Sequence, residues 1–385
     1  MCVRIDKKSG GGSVAAIELA RVFVAAGLEV DNWIVVDPSD GDLLNVQDLR
    51  VEIFKTDFGS SRYRFSIDFT KALRTRLREY DVVILSGLYL YPNSIASYYC
   101  GKQGVPYILF PYDSFNPEKL GHSRLQKTIY RLLFDNAMVR GATLIQAANE
   151  AERRQVVGYT NRTENVFVAS FGFNIEDFSK KRPGLLFQNM VPWDVEHTKT
   201  ILYLARVSKT KGVETLIEAY EKLVRTDACY RLLIVGPAWD AEYNEHLLER
   251  FHELISEQKI HFSGLVSDDE KYACFQKSYL YVLPSYAENF GITVLEAISN
   301  RLVPIVTDSV PWQELEDHNA GFRVPTRDAD AILRAVLCYA NLPEQKRKEM
   351  KENAFNLAFK FDYGSIAKVY LEALRKAAGL GAVRS

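Results

Sequence analysis

Short apolar runs of three to five residues recur along the chain, separated by stretches whose apolar residues repeat at helical spacing. That alternation limits the fold more than any other feature. It is clearest in the second half. Ile201-Leu202-Tyr203-Leu204-Ala205 suits a strand buried on both faces. Val213, Leu216, Ile217, Tyr220 and Leu223 then mark one face of a helix. Leu232 to Val235 reads as the next strand, stopped by Gly236-Pro237. A charged amphipathic stretch over 241–258 leads to a strand from Ile260 to Phe262. Ser267-Asp268-Asp269-Glu270 has the form of a capping box that opens a helix. Tyr279 to Leu283 and Val303 to Val306 complete the strands. Strand and helix in strict alternation predict a doubly wound parallel sheet.

The first half alternates in the same way. Cys2 to Ile5 reads as a short, clipped strand. Gly10-Gly11-Gly12-Ser13 precedes a helix from Val14 to Ala26, which Gly27 can end in left-handed geometry. Val30 to Val36, Val82 to Leu85, Tyr107 to Phe110 and Thr143 to Gln146 read as further strands. The prolines and absent periodicity of 181–198 predict an interdomain linker. The expectation is therefore α/β: two doubly wound Rossmann-like domains, residues 1–180 and 198–363, with an interdomain cleft. The amphipathic segment from Ile366 to Ala377, within a helix over about 364–380, is expected to pack back on the first domain.

A chain of 385 residues is long enough for two such domains. Its 48 Lys and Arg nearly cancel its 49 Asp and Glu, which argues against a nucleic-acid partner. No apolar run is long enough to span a bilayer, and no signal peptide is recognisable at the start. The five cysteines form no metal-type or redox-type spacing, so reduced structural thiols and a cytoplasmic location are expected.

Ligands of doubly wound sheets sit beyond the carboxyl ends of the strands, near helix N-termini. This directs attention to Pro284-Ser285-Tyr286-Ala287-Glu288-Asn289-Phe290-Gly291-Ile292-Thr293-Val294-Leu295-Glu296. Gly291 lets backbone approach a ligand, and first-turn amides suit a phosphate. Glu296, about one turn into the helix, can accept hydrogen bonds from vicinal ribose hydroxyls, and Glu288 faces whatever lies beyond the phosphates. Arg206 and Lys211, after the first strand of that domain, can neutralise a diphosphate and stabilise its leaving-group charge. With those cations no metal is demanded, and no acidic cluster suggests one.

These residues together resemble the donor domain of the family 4 retaining glycosyltransferases, which have the two-domain GT-B fold. The matching strings are Ala205-Arg206-Val207 with Lys211-Gly212, Val235-Gly236, Phe262-Ser263-Gly264, Glu288-x7-Glu296 with Phe290-Gly291, and Pro304-Ile305-Val306-Thr307-Asp308 followed by Glu314-Leu315. The resemblance implies that Arg206 and Lys211 hold the donor phosphates, that Glu296 takes the ribose and that Glu288 contacts the transferred sugar. Gly236, Val266, Asn289, Phe290, Gly291 and Ile292 join the donor site, and Gly11 and Gly12 close over the phosphates from the other domain. It implies a sugar nucleotide as co-substrate, a carbohydrate or lipid-linked acceptor, no other cofactor, and retention of anomeric configuration.

The chain also departs from the family. Where relatives often carry a histidine it reads Phe110-Pro111-Tyr112-Asp113. Tyr112 aligns with that histidine and Asp113 is the substitute carboxylate; packing and turn roles compete equally for both. Phe171-Gly172 replaces a frequent Asn-Gly, and Asn289 and Arg301 replace frequent glycines. Gly10 to Ser13 reads as a phosphate loop or as a flexible turn, and Trp312 as a structural anchor. Arg124, Lys127, Arg131 and Arg140 flank apolar residues in one basic stretch over 124–140. A core-packed helix with a charged outer face is the simpler reading. Peripheral contact with the inner face of a membrane, suiting a lipid-linked acceptor, is the other. Rival functions on the same fold are a sugar-nucleotide epimerase, a glycogen-synthase-like enzyme and a catalytically silent sugar-nucleotide or carbohydrate-binding protein.

Overall fold

The computed structural model describes residues 11–38, 46–57, 64–112, 114–115, 130, 134–175 and 186–379. The chain forms two compact units, Met1–Phe173 with Tyr363–Ser385, and Asn174–Asp362.

In the first unit α1 (Gly11–Ala25) begins earlier than its apolar periodicity suggests and ends as expected. Gly27 has φ +84°, and the Leu28 N–H reaches back to the Phe23 carbonyl at 3.0 Å. β1 (Asp31–Val36) pairs in parallel with β2 (Arg50–Lys55), a strand not read from the sequence, in which Val51 and Ile53 alternate with Arg50 and Glu52 and Phe54 is buried. After α2 (Ile67–Arg76) come β3 (Val83–Ser86), α3 (Tyr91–Gln103), β4 (Tyr107–Phe110), α4 (Asn136–Gly141), β5 (Leu144–Ala147), α5 (Glu150–Thr160) and β6 (Val166–Val168). β3 to β6 form a four-stranded parallel sheet in that order. A cavity of about 750 Å³ lies at the amino ends of β1 and β3, lined by Trp33, Phe69, Leu73 and Ile84. That is the end of the strands opposite to where ligands of such sheets bind.

The second unit starts before the expected linker ends. α6 (Leu186–Met190) buries Phe187, and the buried Trp193 indole donates to Thr200 at 3.2 Å, so Pro192 lies in a packed segment. Residues 181–185 lie outside the described residues. β7 (Lys199–Leu204), α7 (Val213–Thr226), β8 (Tyr230–Val235), α8 (Ala241–Arg250), β9 (Ile260–Gly264), α9 (Asp268–Lys277), β10 (Leu280–Leu283), α10 (Ile292–Ser299), β11 (Pro304–Thr307) and β12 (Phe322–Val324) follow in turn. The capping box forms: Glu270 N–H donates to Ser267 Oγ at 3.3 Å, and Ser267 N–H to the Glu270 carboxylate at 2.8 Å. The all-parallel order is β12-β11-β10-β7-β8-β9, so successive strands run outward from β7 to one edge and then outward from β10 to the other. The switch point lies between β7 and β10, where a crevice opens at the carboxyl ends.

α11 (Ala329–Asn341) and α12 (Glu344–Ala358) complete the second unit, and α13 (Tyr363–Ala377) belongs to the first. Tyr370 of α13 packs edge-on against Phe23, Phe110 and Phe167, and its hydroxyl donates to the Ala169 and Ser170 carbonyls.

Candidate active site

Three loops converge at the switch point of the second unit. The loop after β7 carries Arg206 and Lys211 and ends at Gly212. There φ is +68°, and a Cβ would stand 2.0 Å from the Pro284 carbonyl oxygen. Only glycine allows this contact with the loop after β10. The Tyr286 N–H donates to the Thr210 carbonyl at 2.8 Å, which binds the same two loops again. The third loop, after β8, is fixed likewise. Gly236 has φ +136°, and a Cβ there would meet the Ala205 carbonyl oxygen at 2.1 Å.

This framework brings together the charges expected from the sequence. Lys211 Nζ forms an ion pair with the Glu288 carboxylate, both side chains being mostly buried. Arg206 lies beside them, its guanidinium 4.2 Å from the centre of the Trp239 ring. Burial lowers the Arg206 pKa, and the nearby Glu288 charge offsets part of that effect. A desolvated cation beside a neutralised carboxylate is suited to an entering anion.

Gly291, at φ +76°, is the N-cap of α10, and its carbonyl accepts from Val294 N–H at 2.8 Å. Phe290 is held by Trp312, whose buried indole donates to the Phe290 carbonyl, and Phe361 packs against both rings. Trp312 is thus the anchor its sequence context suggests. Glu296 is only 4% exposed, and Lys271 of α9 meets its carboxylate at 2.8 Å. Burial lowers the Lys271 pKa, but the charges of Glu296 and Asp268 and the hydrogen bond outweigh it and carry the ammonium above its ordinary value. Val266 and Asn289 are half-buried in the loops after β9 and β10.

In the first unit Gly12 opens α1 against Tyr112: a Cβ on Gly12 would lie 3.9 Å from that ring. Tyr112 has φ +49°, and its ring packs beside Phe110 and Phe171. Its hydroxyl is buried next to Ser86. Burial is the main reason that its pKa is pushed up to about 12, so it keeps its proton at neutral pH. Gly10, Asp113 and most of 124–140, including Arg124, Lys127 and Arg131, lie outside the described residues. Arg140 is exposed on α4. Among the described residues no group of His, Cys, Asp and Glu could hold a metal ion, and no helix is long and apolar enough to cross a membrane.

Residues 192–357 match the family described as glycosyl transferases group 1, and residues 10–172 match the glycosyl transferase 4-like domain. The chain belongs to the group 1 glycosyltransferases. Among relatives of this glycosyltransferase are two GDP-mannose:cellobiosyl-diphosphopolyprenol α-mannosyltransferases. The one from Xanthomonas oryzae is 24% identical over 48% of this chain and 49% of that protein, so this match spans about half the relative's length. The one from Xanthomonas campestris is 23% identical over 83% of this chain and 80% of that protein. Among solved structures, Anabaena HepE in complex with UDP and glucose superposes with a TM-score of 0.79 at 20% identity, covering 97% of this chain and 98% of that one. The glycosyltransferase therefore has the GT-B fold of two Rossmann-like domains.

Sequence reasoning did not find Lys271 or Trp239. Lys271 sits one residue beyond the capping box, and Trp239 three beyond Gly236 at a strand's carboxyl end. Position at that end of the sheet is the signal that could have found Trp239.

Proposed function

We propose that this glycosyltransferase is a retaining, metal-independent hexosyltransferase. It moves a hexosyl unit from a nucleotide-diphosphate sugar to a hydroxyl of a carbohydrate or lipid-linked acceptor, in surface polysaccharide or glycolipid assembly. The carrying observation is the convergence of Arg206, Lys211 and Glu288 at the switch point, with the N-terminus of α10 and Glu296 beside them. The Xanthomonas GDP-mannose:cellobiosyl-diphosphopolyprenol α-mannosyltransferases and the UDP and glucose held by HepE support the donor and acceptor classes.

In this reading the diphosphate lies between Arg206, Lys211 and the first-turn amides of α10. The ribose hydroxyls donate to Glu296, and the transferred sugar faces Glu288. As the glycosidic C–O bond breaks, charge grows on the departing diphosphate, where the two cations lower the barrier. The acceptor oxygen bonds to the anomeric carbon on the face that the phosphate leaves and gives its proton to the departing phosphate oxygen, so the anomeric configuration is kept. Glu288→Gln is expected to lower turnover by about 100-fold or more. Its affinity for the nucleoside diphosphate should stay within about threefold. Product configuration by NMR should match the donor, and chelator should leave the rate unchanged. Full activity of the Glu288→Gln protein would remove the reading.

One observation favours a rival. Tyr112 stands where the family often has a histidine, and its buried hydroxyl does not ionise near neutrality. A protein that binds the sugar nucleotide without turning it over would carry such a replacement, and donor affinity without transfer would identify it.

A further inference from the structure

Trp239 has no packing role that accounts for its placement. It is 58% exposed, yet the loop that carries it is fixed at successive points to the loop that carries Arg206. Gly236 accepts no side chain against Ala205, Ala238 bridges Val207, and the Trp239 N–H donates to the Val207 carbonyl at 3.1 Å. The result is an indole face under the Arg206 guanidinium at 4.2 Å.

Arg206 needs such a support. Burial disfavours its charge, and the carboxylate within its field, Glu288, is already paired with Lys211. Among the described residues the Arg206 side chain makes no ion pair or hydrogen bond. An aromatic face attracts the cation through its quadrupole without occupying any N–H donor, whereas a carboxylate would occupy them. We propose that Trp239 is a positioning residue that holds Arg206 in place with its donors uncommitted, so that the diphosphate of the donor meets a pre-set guanidinium. This rests on the sugar-nucleotide reading above. It adds a residue outside the recognised motif and a reason for its exposure.

The test is a double-mutant cycle on nucleoside diphosphate affinity, read by calorimetric titration of the full chain with UDP, GDP and ADP. Trp239→Ala is expected to weaken binding about 2- to 30-fold. Trp239→Phe should restore most of the affinity, because the aromatic face returns. In an Arg206→Ala background Trp239→Ala should change nothing further. An equal loss in that background would mean that Trp239 touches the ligand itself, and unchanged affinity of Trp239→Ala would mean that it does not act; either overturns the proposal alone. Wild-type protein that takes none of the three diphosphates overturns the function reading as well. Unliganded melting temperatures verify that each variant is folded.

Discussion

Glu296 and Lys271 meet in a place from which water is largely excluded, and their interdependence is the clearest single-residue property of the second unit. A buried carboxylate is tolerated only with its cation, so removing one partner costs more than the pair contributes. Lys271→Met is therefore expected to destabilise the second unit by about 3–5 kcal/mol in denaturant unfolding. Adding Glu296→Gln should recover much of the loss, because no uncompensated charge then remains. Additive losses would show that the two side chains do not act as a pair. The sign with pH follows from the raised lysine. Its contribution is complete below the ordinary lysine value of 10.5 and fades only as pH rises through the higher folded value. Acidification toward neutrality should leave it untouched.

At the level of elements, α13 depends on Tyr370, whose ring meets three aromatic rings of the first unit and whose hydroxyl serves two carbonyls. Tyr370→Ala should cost about 3–5 kcal/mol, and Tyr370→Phe about 1–2 kcal/mol for the carbonyls left unpaired. Unfolding of the first unit, followed by hydrogen exchange, would show both. Elements that bury a full face were legible in the sequence. Val213, Leu216, Ile217, Tyr220 and Leu223 of α7 are all buried, and β7 to β11 start within two residues of their apolar runs, whereas the three-residue β12 was not read. β2 was not read: Val51 and Ile53 alternate with Arg50 and Glu52, but the run is short and charged at both ends, and among its residues Phe54 alone is buried. Residues 186–198 look like a linker until Phe187 and Trp193 find a core that no local pattern reveals. The site divides in the same way. Arg206, Lys211, Glu288 and Glu296 stand in one loop or helix start each, where spacing alone exposes them. Lys271 and Trp239 gain meaning only from partners on other elements, 25 residues away in the case of Lys271 and Glu296, once the sheet has formed.

For the whole molecule, the chain completes one α/β unit almost entirely, builds a second, and returns at Tyr363 to finish the first. Arg206, Lys211, Glu288 and Glu296 all belong to the second unit, whereas Gly11, Gly12 and Tyr112 belong to the first. A donor held by the second unit should stabilise it by mass action. At about 100 times the dissociation constant the gain is roughly 2.7 kcal/mol. For a unit of this size that raises its melting temperature by about 5–10 °C. The measurement that tests the central claim most directly is this shift against UDP, GDP, ADP, their sugar conjugates, NAD and NADP. The account predicts a shift with one nucleoside diphosphate and its sugar conjugate that Arg206→Ala reduces. No shift with any of them, or a shift with NAD alone, would contradict it.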